Sequence, residues 1–211
     1  MKERAVSFLS GKLSLEGILT MPKGASLFPA VAICHPHPLY GGSMDNNVVC
    51  AVSEALTQAS LASLRFNFRG VGGSQGEFGN GIGEGEDVKA AISYMSTMRE
   101  IDSDRIGLAG YSAGAGFALP TILNDERIKA VAAISLPLSM FDLDPLRSCT
   151  KPKFLIIGSK DDLISTDQFF QFCQALPEPK EYESIEGADH FWPGHESDLA
   201  VKVAAFFTRT L

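Results

Sequence analysis

The chain has 211 residues, a length that suits one well-packed domain and is tight for two, so residues 1–211 are expected to form a single domain. Apolar residues make up 45% and charged residues 20%, the balance of a globular protein. A formal net charge of −7 leaves no basic footprint for nucleic acid, and no run approaches the roughly 20 apolar residues that cross a bilayer, so neither nucleic acid nor a membrane is expected as partner.

The opening Met1-Lys2-Glu3-Arg4 carries both signs of charge, and the apolar residues after it alternate instead of running together. That is not a signal-peptide pattern, and the expected location is the cytoplasm. Residues 4–9 and 12–20 each alternate apolar and polar side chains, and Ser10-Gly11 punctuates them, which predicts a hairpin. Pro29–Cys34 is a nearly all-apolar run, as in strands covered on both faces of a parallel sheet. Similar runs recur at 62–68, 105–109, 130–135 and 153–157, with a last strand at 180–185. Helical patterns lie between them at about 45–60, 84–98, 113–124 and 166–176, and a final helix spans 195–210. Strands alternating with such helices imply βαβ units, an α/β fold and a mainly parallel sheet of about eight strands with helices on both faces. In such sheets, sites form at the carboxyl ends of the strands.

The loop after 105–109 reads Gly110-Tyr111-Ser112-Ala113-Gly114. It matches G-x-S-x-G between a strand and a helix, the form of a nucleophile elbow. The glycines suit a sharp turn that strains the serine and brings backbones together. Ser112 is therefore the candidate nucleophile. A serine needs a base, and in these elbows the partners follow in the order Ser, Asp or Glu, His. His190, in the loop between the last strand and last helix, is the candidate base, and His195 reads as a helix-start residue. For the carboxylate, Asp161 is preferred over its neighbour Asp162 and over Asp142, and Asp189 reads as shaping its loop. The oxyanion calls for N–H donors. Ala113 supplies one. The other is expected from His35-Pro36-His37-Pro38-Leu39-Tyr40-Gly41-Gly42, in which the prolines cannot donate, leaving His37, with Leu39 and Tyr40 as alternatives.

His35-x-His37 also invites a metal reading, but a zinc site needs a third ligand, so no metal is expected. Cys34, Cys50, Cys149 and Cys173 lack metal or redox spacing and read as reduced thiols, mostly buried. Arg69–Gly76 is glycine-rich but fits neither phosphate-loop pattern, and reads as a tight connection.

With these residues in view, the chain resembles the α/β-hydrolase superfamily over its whole length. More narrowly, it is similar to the small lid-less bacterial hydrolases related to dienelactone hydrolase. The likeness is carried by His35–Asn46, by Arg65-Phe66-Asn67-Phe68-Arg69-Gly70-Val71-Gly72 and by Gly110–Gly114. It implies a Ser112–Asp161–His190 triad, carboxylesterase activity on a short-chain acyl ester as small-molecule substrate, and no cofactor. Dienelactone hydrolases carry cysteine at the elbow, so Ser112 argues against that substrate. Relatives with a cap insert it after the sixth strand, whereas Leu136–Thr150 here is expected to be a loop too short for one. Leu39, Tyr40, Phe191 and Trp192, with Met44, Leu136 and Phe141, are apolar residues on site-side loops and candidate pocket walls. Peptidase or amidase action by the same triad, and a non-catalytic binding module on this scaffold, are the competing readings. The last helix, ending Ala204-Ala205-Phe206-Phe207, leaves open packing on the sheet or on a second copy as a homodimer.

Overall fold

The computed structural model describes residues 1–24 and 27–211. Among them, eight strands form one sheet: β1 (Lys2–Ser10), β2 (Leu13–Met21), β3 (Phe28–Cys34), β4 (Ala62–Phe66), β5 (Ile101–Tyr111), β6 (Ile128–Ile134), β7 (Lys153–Gly158) and β8 (Lys180–Ile185). The helices are α1 (Asn47–Gln58), α2 (Ile82–Ser96), α3 (Ala113–Asn124), α4 (Asp144–Ser148), α5 (Thr166–Ala175) and α6 (Glu196–Thr210). The strand order is β1-β2-β4-β3-β5-β6-β7-β8. β1 and β2 are antiparallel, as are β2 and β4, and every pairing from β4 through β3 to β8 is parallel. No helix among the described residues is long and apolar enough to cross a membrane.

Alternation along the inner strands divides the core in two. Ala30, Ala32 and Cys34 of β3 face a layer built on α2, α3 and α5, while Val31 and Ile33 face a layer built on α1 and α6. Both faces being covered is why β3, β6, β7 and the Ile106–Tyr111 part of β5 are almost continuously apolar. Phe206 and Phe207 belong to the second layer, so the end of α6 packs on the sheet. Side-chain caps begin the helices where the sequence supplies them: Asn46 accepts from Val48 N–H at 3.0 Å and Ser165 from Gln168 N–H at 3.4 Å. The four cysteines are unpaired, with Cys34, Cys149 and Cys173 buried and Cys50 half-buried.

Three elements differ from the sequence reading, and one of them, β5, runs from Ile101 to Tyr111 where the apolar run predicted 105–109. The strand expected over 62–68 ends at Phe66, because Asn67 and Phe68 turn away to bond Glu16 O and the His35 ring. The expected loop at 136–150 holds a single five-residue helix, α4, whose start is fixed by Asp142 accepting from Asp144 N–H at 3.0 Å. That is still far short of a cap.

The connection from β4 to α2 is anchored by a buried carboxylate. Asp87 is fully buried in α2 and accepts from Arg69 N–H at 2.9 Å, from Arg69 Nε at 3.0 Å and from Arg69 Nη2 at 2.7 Å. Removing one partner of such a pair strands the other without compensation. Asp87→Ala is expected to lower the unfolding free energy by about 3–5 kcal/mol. Urea denaturation of the two proteins measures this, and a loss below about 1 kcal/mol, the range of an exposed pair, would contradict it.

Candidate active site

The carboxyl edge of β5 turns directly into α3, and Ser112 is the single residue between them. Its backbone stands at φ 52° and ψ −124°, a region that residues with a Cβ seldom occupy. The glycines beside it are sterically required. A Cβ on Gly110 would lie 2.4 Å from Ala115 Cα, and one on Gly114 would lie 2.2 Å from His35 O and 2.5 Å from Cys34 O. Gly114 thus lets α3 press against the end of β3 and draws the loop after β3 toward Ser112.

Ser112 Oγ lies 3.0 Å from His190 Nε2, and His190 Nδ1 lies 2.8 Å from Asp161 Oδ2. Both partners are almost fully buried. The other oxygen of Asp161 accepts from the N–H groups of Leu163 and Ile164, at 3.0 and 3.1 Å. With Nδ1–H donating to the Asp161 carboxylate, the Nε2 lone pair faces the serine hydroxyl. Asp162 is exposed, and Asp142 is exposed and occupied with its own turn. The structure therefore brings Asp161, and neither alternative, to His190. Asp189 accepts from the N–H groups of Phe191 and Trp192 and shapes the loop that presents the imidazole. His195 caps α6 and lies outside the trio.

Sequence reasoning missed Tyr111. Its hydroxyl donates to His190 O at 2.7 Å and fixes the backbone of the base from the strand that carries the nucleophile. Burial, with Asp161 and Asp189 nearby, raises its pKa, so the phenol keeps the proton it donates. The aromatic residue between Gly110 and Ser112 was visible, but its partner 79 positions away was not.

At the oxyanion position, Ala113 N–H heads α3. In the facing loop, Leu39 N–H donates to His37 Nδ1 at 3.2 Å and Tyr40 N–H to His37 O at 3.1 Å. Those two donors are committed and the prolines cannot donate, and among the described residues the His37 N–H has no backbone acceptor. His35, fully buried, stiffens the same loop. Its Nδ1 lies 2.7 Å from Pro36 O and its Nε2 accepts from Phe68 N–H at 3.1 Å. Both ring nitrogens are engaged, which leaves His35 none for a metal. Burial lowers the pKa of this ring to about 4. The glycine-rich turn after Arg69 is likewise satisfied internally: Glu16 accepts from Gly73 N–H and from Asn67 Nδ2, each at 2.6 Å.

The expected pocket walls separate. Leu39, Tyr40 and Phe191 are exposed by 69%, 85% and 63%, and the Phe191 ring stands edge-on to His190 at 5.5 Å. Trp192 does not line a pocket. It is fully buried at φ 65°, with its indole N–H donating to Ser135 Oγ at 3.2 Å. The turn at Asp189 folds it inward against α6. Met44 and Leu136 are core residues too, and Phe141 lies over Gly116, where a Cβ would come within 2.4 Å of its ring.

A mainly parallel sheet with a strained serine at the β5–α3 elbow defines an α/β serine hydrolase. The comparisons with known proteins agree. A family model for PET hydrolase-like proteins matches residues 85–211, and one for X-Pro dipeptidyl-peptidases of the S15 family matches residues 15–145. An uncharacterized Rickettsia prowazekii protein is 35% identical over 172 residues, covering 78% of this chain and 72% of that protein. The chain spans under half the length of the Escherichia coli proteins it also matches. A solved α/β serine hydrolase homologue from Coxiella burnetii is 32% identical, with 97% of each chain covered and a TM-score of 0.88. An α/β serine hydrolase without lid from Xanthomonas campestris is 26% identical, with 99% of this chain and 95% of that one covered and a TM-score of 0.87. The chain belongs to the α/β-hydrolase superfamily, among its lid-less serine hydrolases.

His35 generates a pH prediction. Its folded pKa lies near 4 and its ordinary value is 6.5, so between them the unfolded chain binds the extra proton. Its contribution is complete above about pH 6.5, is lost as pH falls through the window, and changes no further below about pH 4. The loss amounts to about 3 kcal/mol. Urea unfolding across this window should show that slope in the wild type and lack it in His35→Gln. Parallel curves would overturn the neutral-ring account.

Proposed function

We propose that this chain is a carboxylic-ester hydrolase working through an acyl-enzyme. The observation that supports it most is the 3.0 Å approach of His190 Nε2 to Ser112 Oγ at the elbow. In this reading His190 takes the Ser112 proton as the oxygen attacks the ester carbonyl, and Asp161 holds the ring and stabilises the imidazolium. The carbonyl oxygen gains negative charge between Ala113 N–H and His37 N–H, beside the positive end of α3. His190 then protonates the departing alcohol. Water enters, gives its proton to His190 and adds to the acyl carbon, and the collapse returns Ser112 with the free acid. The groups present balance every proton, so the cycle calls for no cofactor. The PET hydrolase-like match over residues 85–211 supports an ester as substrate. The S15 peptidase match over residues 15–145 supports a second reading, cleavage of short peptides by the same groups.

Hydrolysis of p-nitrophenyl acetate and butyrate tests the first reading. Ser112→Ala is expected to lower kcat/KM by a factor of about 1,000 or more, and Asp161→Asn to lower kcat by about 1,000–10,000. Equal rates in wild type and Ser112→Ala would overturn it. A panel of peptide p-nitroanilides separates the second reading: rapid ester turnover without amide cleavage removes it.

A further inference from the structure

We infer that the apolar groove between α2 and α3 holds the acyl chain of the ester, an inference that rests on the ester-hydrolase reading and gives its substrate a chain length. The groove encloses about 710 Å³. It runs along α3 from Gly116 to Asn124, with Gly81 to Lys89 of the α2 side as one wall and Met140, Phe141 and Pro145 as the other. None of Ser112, Asp161 and His190 lines it. It begins instead one helical turn beyond the nucleophile, since Gly116 follows Ser112 by four residues on the same helix. Phe117, at that end, stands 5.9 Å from the ring of His37, the proposed second oxyanion donor. A chain leaving the acyl carbon can therefore turn over the edge of the sheet into the groove.

Gly85 supplies an independent argument. Glycine inside a helix is costly in conformational entropy and is normally kept where a side chain would collide. Two other helical glycines here obey that rule: a Cβ on Gly83 would lie 2.5 Å from the Arg69 guanidinium, and one on Gly116 2.4 Å from the Phe141 ring. Gly85 does not. A Cβ there would meet only Phe117 O, at an ordinary 3.6 Å. Gly85 is buried against α3, where Thr121 Oγ1 donates to its carbonyl at 3.4 Å, yet a Cβ would still be admitted, and its position in the groove wall accounts for the missing side chain because a longer one would fill the channel. The large apolar side chains along the groove are also unusually wet, Ile82 at 82% and Met140 at 61% exposed. The far end turns polar at the Lys89–Glu86 ion pair and Asn124. From Gly116 to there the helix rises about 12 Å, and Ser112 to Gly116 takes about 6 Å, so an extended chain of roughly ten carbons ends near the middle of the groove. The occupant is thus a medium-length unbranched acyl chain.

The test is a p-nitrophenyl ester series from acetate to decanoate on wild type and Gly85→Leu. Gly85→Leu should keep the wild-type circular dichroism spectrum and turn over acetate at the wild-type rate. Excluding even two methylenes should lower kcat/KM for decanoate by about tenfold. An unchanged chain-length profile in Gly85→Leu overturns the inference. So does an altered oligomeric state with that profile unchanged, which would make the groove an interface between copies. Calorimetric titration of decanoic acid into Ser112→Ala, with and without Gly85→Leu, reads the groove apart from the chemistry. Binding abolished by Gly85→Leu supports the groove even if no ester is hydrolysed, and binding indifferent to it overturns the groove even if acetate is.

Discussion

Ser112 is held at a positive φ that costs a residue with a Cβ about 1–3 kcal/mol, and the elements around it are arranged so that this conformation is the one they permit. Its N–H donates to Ile134 O of β6 at 2.8 Å, and its carbonyl accepts from Ala115 N–H at 3.0 Å to start α3. The two glycines leave no slack on either side, since Gly110 abuts α3 and Gly114 abuts the end of β3. Three consequences follow from the one turn. The hydroxyl is lifted to the imidazole, α3 begins directly beside it, and the loop after β3 is drawn close to the start of α3.

In the proposed cycle the second oxyanion donor depends on that loop keeping its shape, and the segments that carry the family resemblance are what brace it. His35 reaches the backbone after β4 through Phe68 N–H. Met44 N–H donates to Asn67 Oδ1 at 2.8 Å, and Arg65 binds both Met44 O and the Asp45 carboxylate. The stretches 35–46 and 65–72 are therefore two sides of one clasp. Burial keeps the His35 ring neutral, with one nitrogen donating and the other accepting, and a charged ring would forfeit the bond from Phe68.

Much of this was legible in the chain because it is periodic or local. Apolar runs gave the inner strands within a few residues, and Gly110–Gly114 between such a run and a helix located Ser112. The ordering rule for nucleophile elbows pointed to His190 and narrowed the carboxylate to neighbouring aspartates. Sequence favoured Asp161 over Asp162 without showing the direction of either side chain. Asp161 and Asp162 are adjacent and chemically identical, and only the path of the chain after Gly158, where a Cβ would lie 2.3 Å from Ala188 O, turns the first toward the imidazole. Trp192 misled for the same reason: one residue in an aspartate-capped turn obeys no period, and its positive φ sends the ring inward. Tyr111 and the His35–Phe68 bond were invisible because each joins residues far apart in sequence.

The account stands on Ser112 being an activated nucleophile, and covalent trapping reads that without any choice of substrate. The protein would be treated with a fluorophosphonate and digested, and the adduct mapped by mass spectrometry. The expected result is one adduct, on the peptide carrying Ser112, formed much more slowly in Asp161→Asn. An unlabelled protein, or an adduct on another residue while Ser112 stays free, would contradict the account.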